Sequence, residues 1–263
     1  MFKVCFLSRT CSTYYADEIR HVIELVDTIG GPTLHELDGL NANPSTLRYI
    51  STALSLFARF GCEYCLLFVH TLLLSSLPNI VAATKNMSIV ELGGGFGGQS
   101  IALAAMKMGG FSNYVDIDLA ESCMLAKMHI GLTRALSITS KIESDILGHF
   151  LCITSEMWSP ATVCDLFISN YALSELSAAL QMQIIQGIVA FCKRGHIQAN
   201  DISSHHGLEG SSTAKLVKAL QDTGLELFVR PMFMEQGSLP VPISGVTIIE
   251  WGCSMPGCSD RVE

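Results

Sequence analysis

Basic residues are scarce in this chain. Its 263 residues hold 16 Lys and Arg against 24 Asp and Glu, for a formal net charge of −8, and no Lys/Arg-rich run occurs. A nucleic-acid partner is thereby excluded, because phosphate binding needs a basic face. Charged residues of both signs make up only 15 % and mean hydropathy is +0.40, which leaves an apolar surface, a homo-oligomer interface or peripheral membrane contact open. Internal repeats and low-complexity segments are absent. No secretory signal is expected, since the stretch MFKVCFLSRTCSTYY is too polar. Residues 64–84 lack Asp, Glu, Lys and Arg, a length that could cross a bilayer. They nevertheless include His70, Ser75, Ser76, Pro78 and Asn79, so a buried helix is expected and an integral span is not.

Cysteines are numerous but scattered. Cys123, Cys152, Cys164 and Cys192 lie in apolar runs, where a reduced thiol packs as a small hydrophobe, and a cytoplasmic location is expected. Cys62-x-x-Cys65 lacks a second pair to complete a zinc site.

What is abundant is glycine, in one place. The run SIVELGGGFGG ends a strand-like segment in Glu91 and then sets five glycines in six positions, Gly93 to Gly98, before SIALAAMKMG resumes. This predicts strand, tight turn and helix N-terminus, a cradle for a nucleotide-like cofactor. Gly93, Gly95 and Gly98 satisfy G-x-G-x-x-G, the dinucleotide fingerprint. Glu91, Gly93, Gly95 and Gly97 equally satisfy the acid-x-G-x-G-x-G pattern of S-adenosylmethionine (SAM) methyltransferases. The acid two residues before the first glycine favours SAM, whose methionine end carries an ammonium group. Asp118, closing the run YVDID, is expected to hold the ribose.

Strand and helix signals alternate from Met87. The expected strands are MSIVEL, YVDID, either SITSKIE or HFLCIT, VCDLFISN and GHIQAN, then the pair LELFVRPMF and GVTIIEWG with no helix between them. Five parallel units closed by a β-hairpin describe the α/β, Rossmann-like sheet of class I SAM methyltransferases, whereas a dinucleotide domain more often continues βαβ to its sixth strand. Residues 1–86 read as a helical cap, with LRYISTALSLFARF a helix behind Pro44 and GGPTLHELDGLNANP a loop. Residues 87–252 form the cofactor domain and 253–263 a tail. Met106, Met108, Met124, Met128 and Met182 are expected to fill the core, as is Tyr114.

Ligands in open α/β sheets lie at the carboxyl ends of the strands. Asn170 and Tyr171 follow the fourth predicted strand and should floor the site; Glu175 follows closely. Asp145 could meet the adenine side at the end of the third strand. Beyond the fifth strand stand Asp201, His205 and His206. A hydroxyl nucleophile calls for a base, for which His205 and His206 lead and Glu175 is the alternative. Asp201 with the two histidines could also hold a divalent metal, without a defined ligand geometry. Arg48 and Tyr49, in the cap, could close over an anionic or glycosidic acceptor.

Several of these segments, in order, resemble the sugar O-methyltransferase family, bacterial enzymes associated with polysaccharide or lipopolysaccharide modification. They are NPSTLRYI, ELGGGFGGQS, YVDIDLAES, SNYALSEL and TIIEWG, spanning residues 43–252, and SNYALSEL is the most specific. Ala120 stands where that family has proline. The resemblance implies SAM-dependent O-methylation of a sugar hydroxyl in a nucleotide sugar or glycan precursor. The rivals are a nicotinamide-dependent oxidoreductase, a SAM-binding protein without turnover, and a methyltransferase for nitrogen or carbon nucleophiles.

Overall fold

The computed structural model describes residues 16–37, 40–60, 87–105, 111–136, 150–154, 157, 164–201, 211–236 and 239–252. A seven-stranded sheet organises them. Its strands are β3 (Met87–Leu92), β4 (Phe111–Ile117), β5 (Phe150–Ile153), β6 (Leu166–Asn170), β7 (Arg194–Asn200), β8 (Leu227–Gln236) and β9 (Leu239–Trp251). Their order is β5-β4-β3-β6-β7-β9-β8. The first five are parallel; β9 runs antiparallel between β7 and β8. This is the α/β, Rossmann-like sheet, parallel strands closed by an antiparallel pair, expected from the sequence, and HFLCIT, not SITSKIE, supplies the third parallel strand.

Alternation along each strand separates two cores. On one face Val90, Val115, Phe167, Ile197 and Ile249 meet Ile184 and Ile185 of a helix over Ala178–Gly187 and Leu216 and Leu220 of another over Thr213–Gln221. On the opposite face Ile89, Tyr114 and Ile168 pack beneath α1 (Ala16–Asp27), α2 (Pro44–Phe60) and α3 (Gly98–Ala105).

The start of α2 is fixed by local polar contacts. Asn43 caps it, its Oδ1 accepting from Ser45 N at 2.8 Å, and Pro44 occupies the first helical position, where no N–H is needed. Asp27, at the end of α1, accepts from Asn43 N at 2.8 Å and Thr46 Oγ1 at 2.5 Å. These bonds orient the turn of α2 that carries Arg48 and Tyr49.

Some expectations need correction. The segment read as a loop before α2 contains an antiparallel pair, β1 (His35–Leu37) with β2 (Leu40–Ala42). SELSAALQMQIIQGIVAFC is not one helix. Short α5 (Ala172–Glu175) is separated from α6 (Ala178–Gly187), because Ser177 takes extended backbone and its side chain accepts from Leu180 N. On α4 (Ala120–Leu136), Met124 and Met128 are 62 % and 60 % exposed, and Met182 is exposed too, so these three are not core filler. Met106 and Met108 lie outside the described residues.

The four cysteines expected as reduced thiols are two disulfides, Cys123–Cys152 and Cys164–Cys192. Their Cα separations are 5.2 and 4.6 Å. Each joins positions far apart in sequence that sheet packing brings together, which spacing alone cannot reveal. These four therefore no longer speak for a reducing compartment. Among the described residues no helix is long and apolar enough to cross a membrane; residues 64–84 and the Cys62–Cys65 pair lie outside them.

Candidate functional site

The glycine turn sits where β3 gives way to α3. Gly93 leaves the strand with φ 78°, its N–H bonded to Ile117 O at 2.9 Å, and its α-hydrogen faces the Ala172 methyl. A Cβ there would stand 2.3 Å from Ala172 Cβ. Gly94 N donates to Asp116 Oδ1 at 2.9 Å, and Gly95 N to Asp118 Oδ2 at 2.8 Å. Two carboxylates from β4 and its end thus hold the loop, and the space over Gly95 is open, with no atom within 4 Å of where a Cβ would be. Gly97 bonds back to Gly94 O at 3.0 Å, and Gly98 opens α3 against the Tyr49 ring.

Beneath the loop lies a buried acidic pair. Glu91 and Asp116 are opposite each other in the β3–β4 register, and both are buried. Burial pushes the Glu91 carboxyl up to about 8, helped by the charge of Asp116, while the Tyr114 hydroxyl, donating to Glu91 Oε2 at 2.6 Å, opposes the rise. Burial likewise lifts Asp116 to about 7 against the pull of the Gly94 N–H. Tyr114 is core, as expected, and is raised well above the usual phenol range.

Asn170 and Tyr171 end β6 beside this loop. Asn170 Nδ2 donates to Gln99 Oε1 at 3.3 Å, and Gln99 Nε2 donates to the Tyr49 carbonyl at 3.1 Å. Tyr171 has φ 74°, a backbone conformation uncommon for a bulky residue, held by its N–H to Gln198 O at 2.8 Å. The Arg48 guanidinium lies between two rings, 5.4 Å from the centre of Tyr49 and 5.6 Å from that of Tyr171. Burial raises both phenols. Phe96, inside the loop, meets Tyr49 edge-on at 5.6 Å and His129 at 5.0 Å. His129 Nδ1 is 3.0 Å from Phe96 O, and burial lowers its pKa.

The structure therefore brings Glu91, Gly93, Gly95, Gly97, Gly98, Asp118, Asn170, Tyr171, Arg48 and Tyr49 to one end of the sheet. Glu175 is exposed, its Oε1 accepting from Asn200 Nδ2 at 3.2 Å. Asp201 Oδ1 accepts from Thr213 N and Oγ1 at 2.8 and 2.7 Å, serving the start of α7 (Thr213–Gln221). His205, His206 and Asp145 lie outside the described residues, and among those described no group of His, Cys, Asp or Glu could hold a metal. Sequence reasoning missed Asp116, Gln99 and Gln198. Asp116 was legible as the other acid on the Asp118 face of YVDID, and Gln198 as one of three polar residues at alternate positions in HIQAN. Gln99 carried no signal.

No family model matches the chain, and no curated protein does. Solved structures with similar chains include an O-methyltransferase family protein from Burkholderia thailandensis, 12 % identical over 92 % of this chain and 96 % of that one, with a TM-score of 0.44. The N-terminal domain of EvdMO1, solved in the presence of S-adenosylhomocysteine (SAH) and D-fucose, is 14 % identical over 90 % and 94 %, with a TM-score of 0.47. The glycopeptide N-methyltransferase MtfA, complexed with SAM, is 9 % identical over 67 % and 84 %, with a TM-score of 0.46.

Proposed function

We propose that this chain is a SAM-dependent methyltransferase that methylates a sugar hydroxyl of a nucleotide sugar, polysaccharide or lipopolysaccharide precursor. The observation that carries the reading is the glycine turn. Buried Glu91 stands ahead of it, two β4-side carboxylates grip it, and open space lies over Gly95, in a sheet closed by an antiparallel pair. No helix separates β8 from β9 among the described residues, which disfavours the nicotinamide alternative.

In this reading the cofactor supplies an electrophilic methyl on a sulfonium, and the residues orient it. Glu91 and the glycines take the methionine portion. Asp118, joined here by Asp116, takes the ribose, and Asp145 the adenine side. Asn170 and Tyr171 floor the reacting centre. The cap of residues 1–86 covers the acceptor through Arg48 and Tyr49. Aligning nucleophile and methyl is the larger task. Removing the hydroxyl proton adds about 10²–10⁴-fold and falls to His205 or His206, with Glu175 the alternative base.

The test is a calorimetric titration with SAH, NAD serving as comparator. SAH is expected to bind in the micromolar range and NAD not to bind. Asp118→Ala should weaken SAH about tenfold, and Asp116→Ala more, because the Gly94 N–H it strips is buried, at a cost of about 1–3 kcal/mol, whereas the Gly95 N–H held by Asp118 is only partly so. Binding of NAD alone would sink the reading.

A further inference from the structure

Three buried polar atoms beside the site have no hydrogen-bond partner: Arg48 Nε, Asn170 Oδ1 and Gln198 Oε1. They are neighbours. Asn170 and Gln198 are register partners on β6 and β7, so their side chains leave the same face of the sheet. Gln198 is 3 % exposed, and its Nε2 donates at 3.0 Å to Thr52 Oγ1, one helical turn along α2 from Arg48. Buried polar groups are as a rule paired, so three orphans in adjacent positions mark where a ligand's polar groups belong.

The orientation of both amides is fixed by what lies behind them. The Tyr49 carbonyl can only accept, so it takes an N–H of Gln99; the Gln99 oxygen then faces Asn170 Nδ2, which leaves Asn170 Oδ1 facing away. The second chain starts at Glu250, fully buried, with Arg230 Nε 3.6 Å from one oxygen to favour the carboxylate. Its other oxygen is 2.8 Å from His196 Nδ1, which must carry the proton. Assigning the ring a single proton, on Nδ1, makes Nε2 an acceptor, and it lies 3.5 Å from Gln198 Nε2. The amide nitrogen of Gln198 is thus drawn to His196 and Thr52, and Oε1 is left for a ligand.

We propose that Gln198, oriented by Glu250 through His196, is the specificity-determining residue of the acceptor subsite. Its oxygen and that of Asn170 receive two hydrogen bonds donated by the acceptor, and Arg48 donates to an anionic oxygen of the same molecule. The acceptor class is therefore a polyhydroxylated anion, carboxylate or phosphate. This rests on the methyltransferase reading. The site is not the cofactor's methionine end, because β7 is two strands from β3, about 10 Å from a group held at Glu91. His196 and Glu250 are positioning residues.

Saturation-transfer NMR on SAH-saturated protein tests this with four probes: D-glucuronate, glucose 6-phosphate, methyl α-D-glucoside and propionate. The first two are expected to bind at least tenfold more tightly than the neutral polyol or the anion without hydroxyls. Gln198→Met should weaken both about tenfold and leave SAH affinity, read by calorimetry, within twofold. Glu250→Gln can donate to His196 Nδ1, switching the tautomer and turning the Gln198 amide, so it should weaken the same probes; in the Gln198→Met background it should add nothing. A merely structural Glu250 would act in both backgrounds. Equal binding of all four probes, binding of none, or loss of SAH affinity in Gln198→Met overturns the proposal. Polyol anions bound without any SAH binding would support the subsite and remove the methyltransferase reading, whereas SAH bound without them removes the subsite alone.

Discussion

Gly93→Ala is expected to abolish SAH binding, weakening it by 100-fold or more, and to lower the Tm further than Gly95→Ala does. Both residues have positive φ, 78° and 61°, and an alanine at either bears about 1–2 kcal/mol of left-handed backbone strain. They differ in what the methyl meets. At Gly95 it meets no protein atom and enters only the space proposed for the cofactor; at Gly93 it stands 2.3 Å from Ala172 Cβ, far inside contact distance. Ala172 is the first residue of α5 and follows Tyr171, so relieving the collision moves the Asn170–Tyr171 floor away from the loop. The damage therefore reaches two walls of the site at once. Calorimetry measures the affinity, and thermal unfolding followed by circular dichroism measures the stability. Equal losses of stability at the two positions would show that strain alone, and not the packing of α5 on the loop, sets the effect.

Glu91→Gln should stabilise the protein at pH 8 and leave it unchanged near pH 4. The Glu91 carboxyl sits at about 8 in the fold, against an ordinary value of 4.5, chiefly because it is buried and then because Asp116 adds like charge. Between those values the folded chain keeps a proton that the unfolded chain gives up, so stability falls as pH rises through the window. Glutamine has no proton to lose. The difference in unfolding free energy at pH 8 should be about 2–4 kcal/mol, or roughly 5–10 °C in Tm for a chain of this size. In the proposed site the same group faces the cofactor's ammonium. A cation beside Glu91 favours its ionised form, so SAM uptake should release a proton and SAM affinity should rise from pH 6 to pH 8, a slope that Glu91→Gln flattens. Thermal unfolding at pH 4 and 8, with calorimetry in buffers of different ionisation enthalpy, measures both. A Tm difference identical at the two pH values would sink the assignment.

The sheet was largely legible in the sequence, because the strands are short apolar runs bounded by clear turns. MSIVEL and GHIQAN appear almost to the residue. Closure by an antiparallel pair could be read from two β-rich runs with only a loop between them. Legibility failed where structure depends on contacts between distant segments. Nothing near Cys123 tells that Cys152 lies beside it, and nothing in the spacing of Met124 and Met128 tells that their side of α4 is bare. The glycine turn between β3 and α3 could be found because a backbone turn with bare α-carbons leaves a compositional trace. Asp116 was passed over for Asp118 because burial within an apolar strand argues against a charged role, until the loop N–H that needs it is seen. Gln198 drew no notice for a related reason. Its importance rests on which way an amide faces, and that is decided by Glu250, 52 positions away.

The two faces of the sheet divide the chain's tolerance of change. One side of the strands presents Val90, Val115, Phe167, Ile197 and Ile249 to the apolar faces of helices packed over them. The other, beside the apolar Ile89, Tyr114 and Ile168, presents the polar Glu91, Asp116, Asn170, Gln198 and Glu250. Adjacent positions in one strand therefore answer to different pressures. Drift at the first set is limited by volume and is graded, since one aliphatic residue can stand for another. At the second set it is limited by hydrogen-bonding sense and is all or none. A lineage of such chains could acquire a new acceptor by exchanging a few alternate residues on β6, β7 and β9 while the packing of the opposite face, and with it the fold, stays as it is.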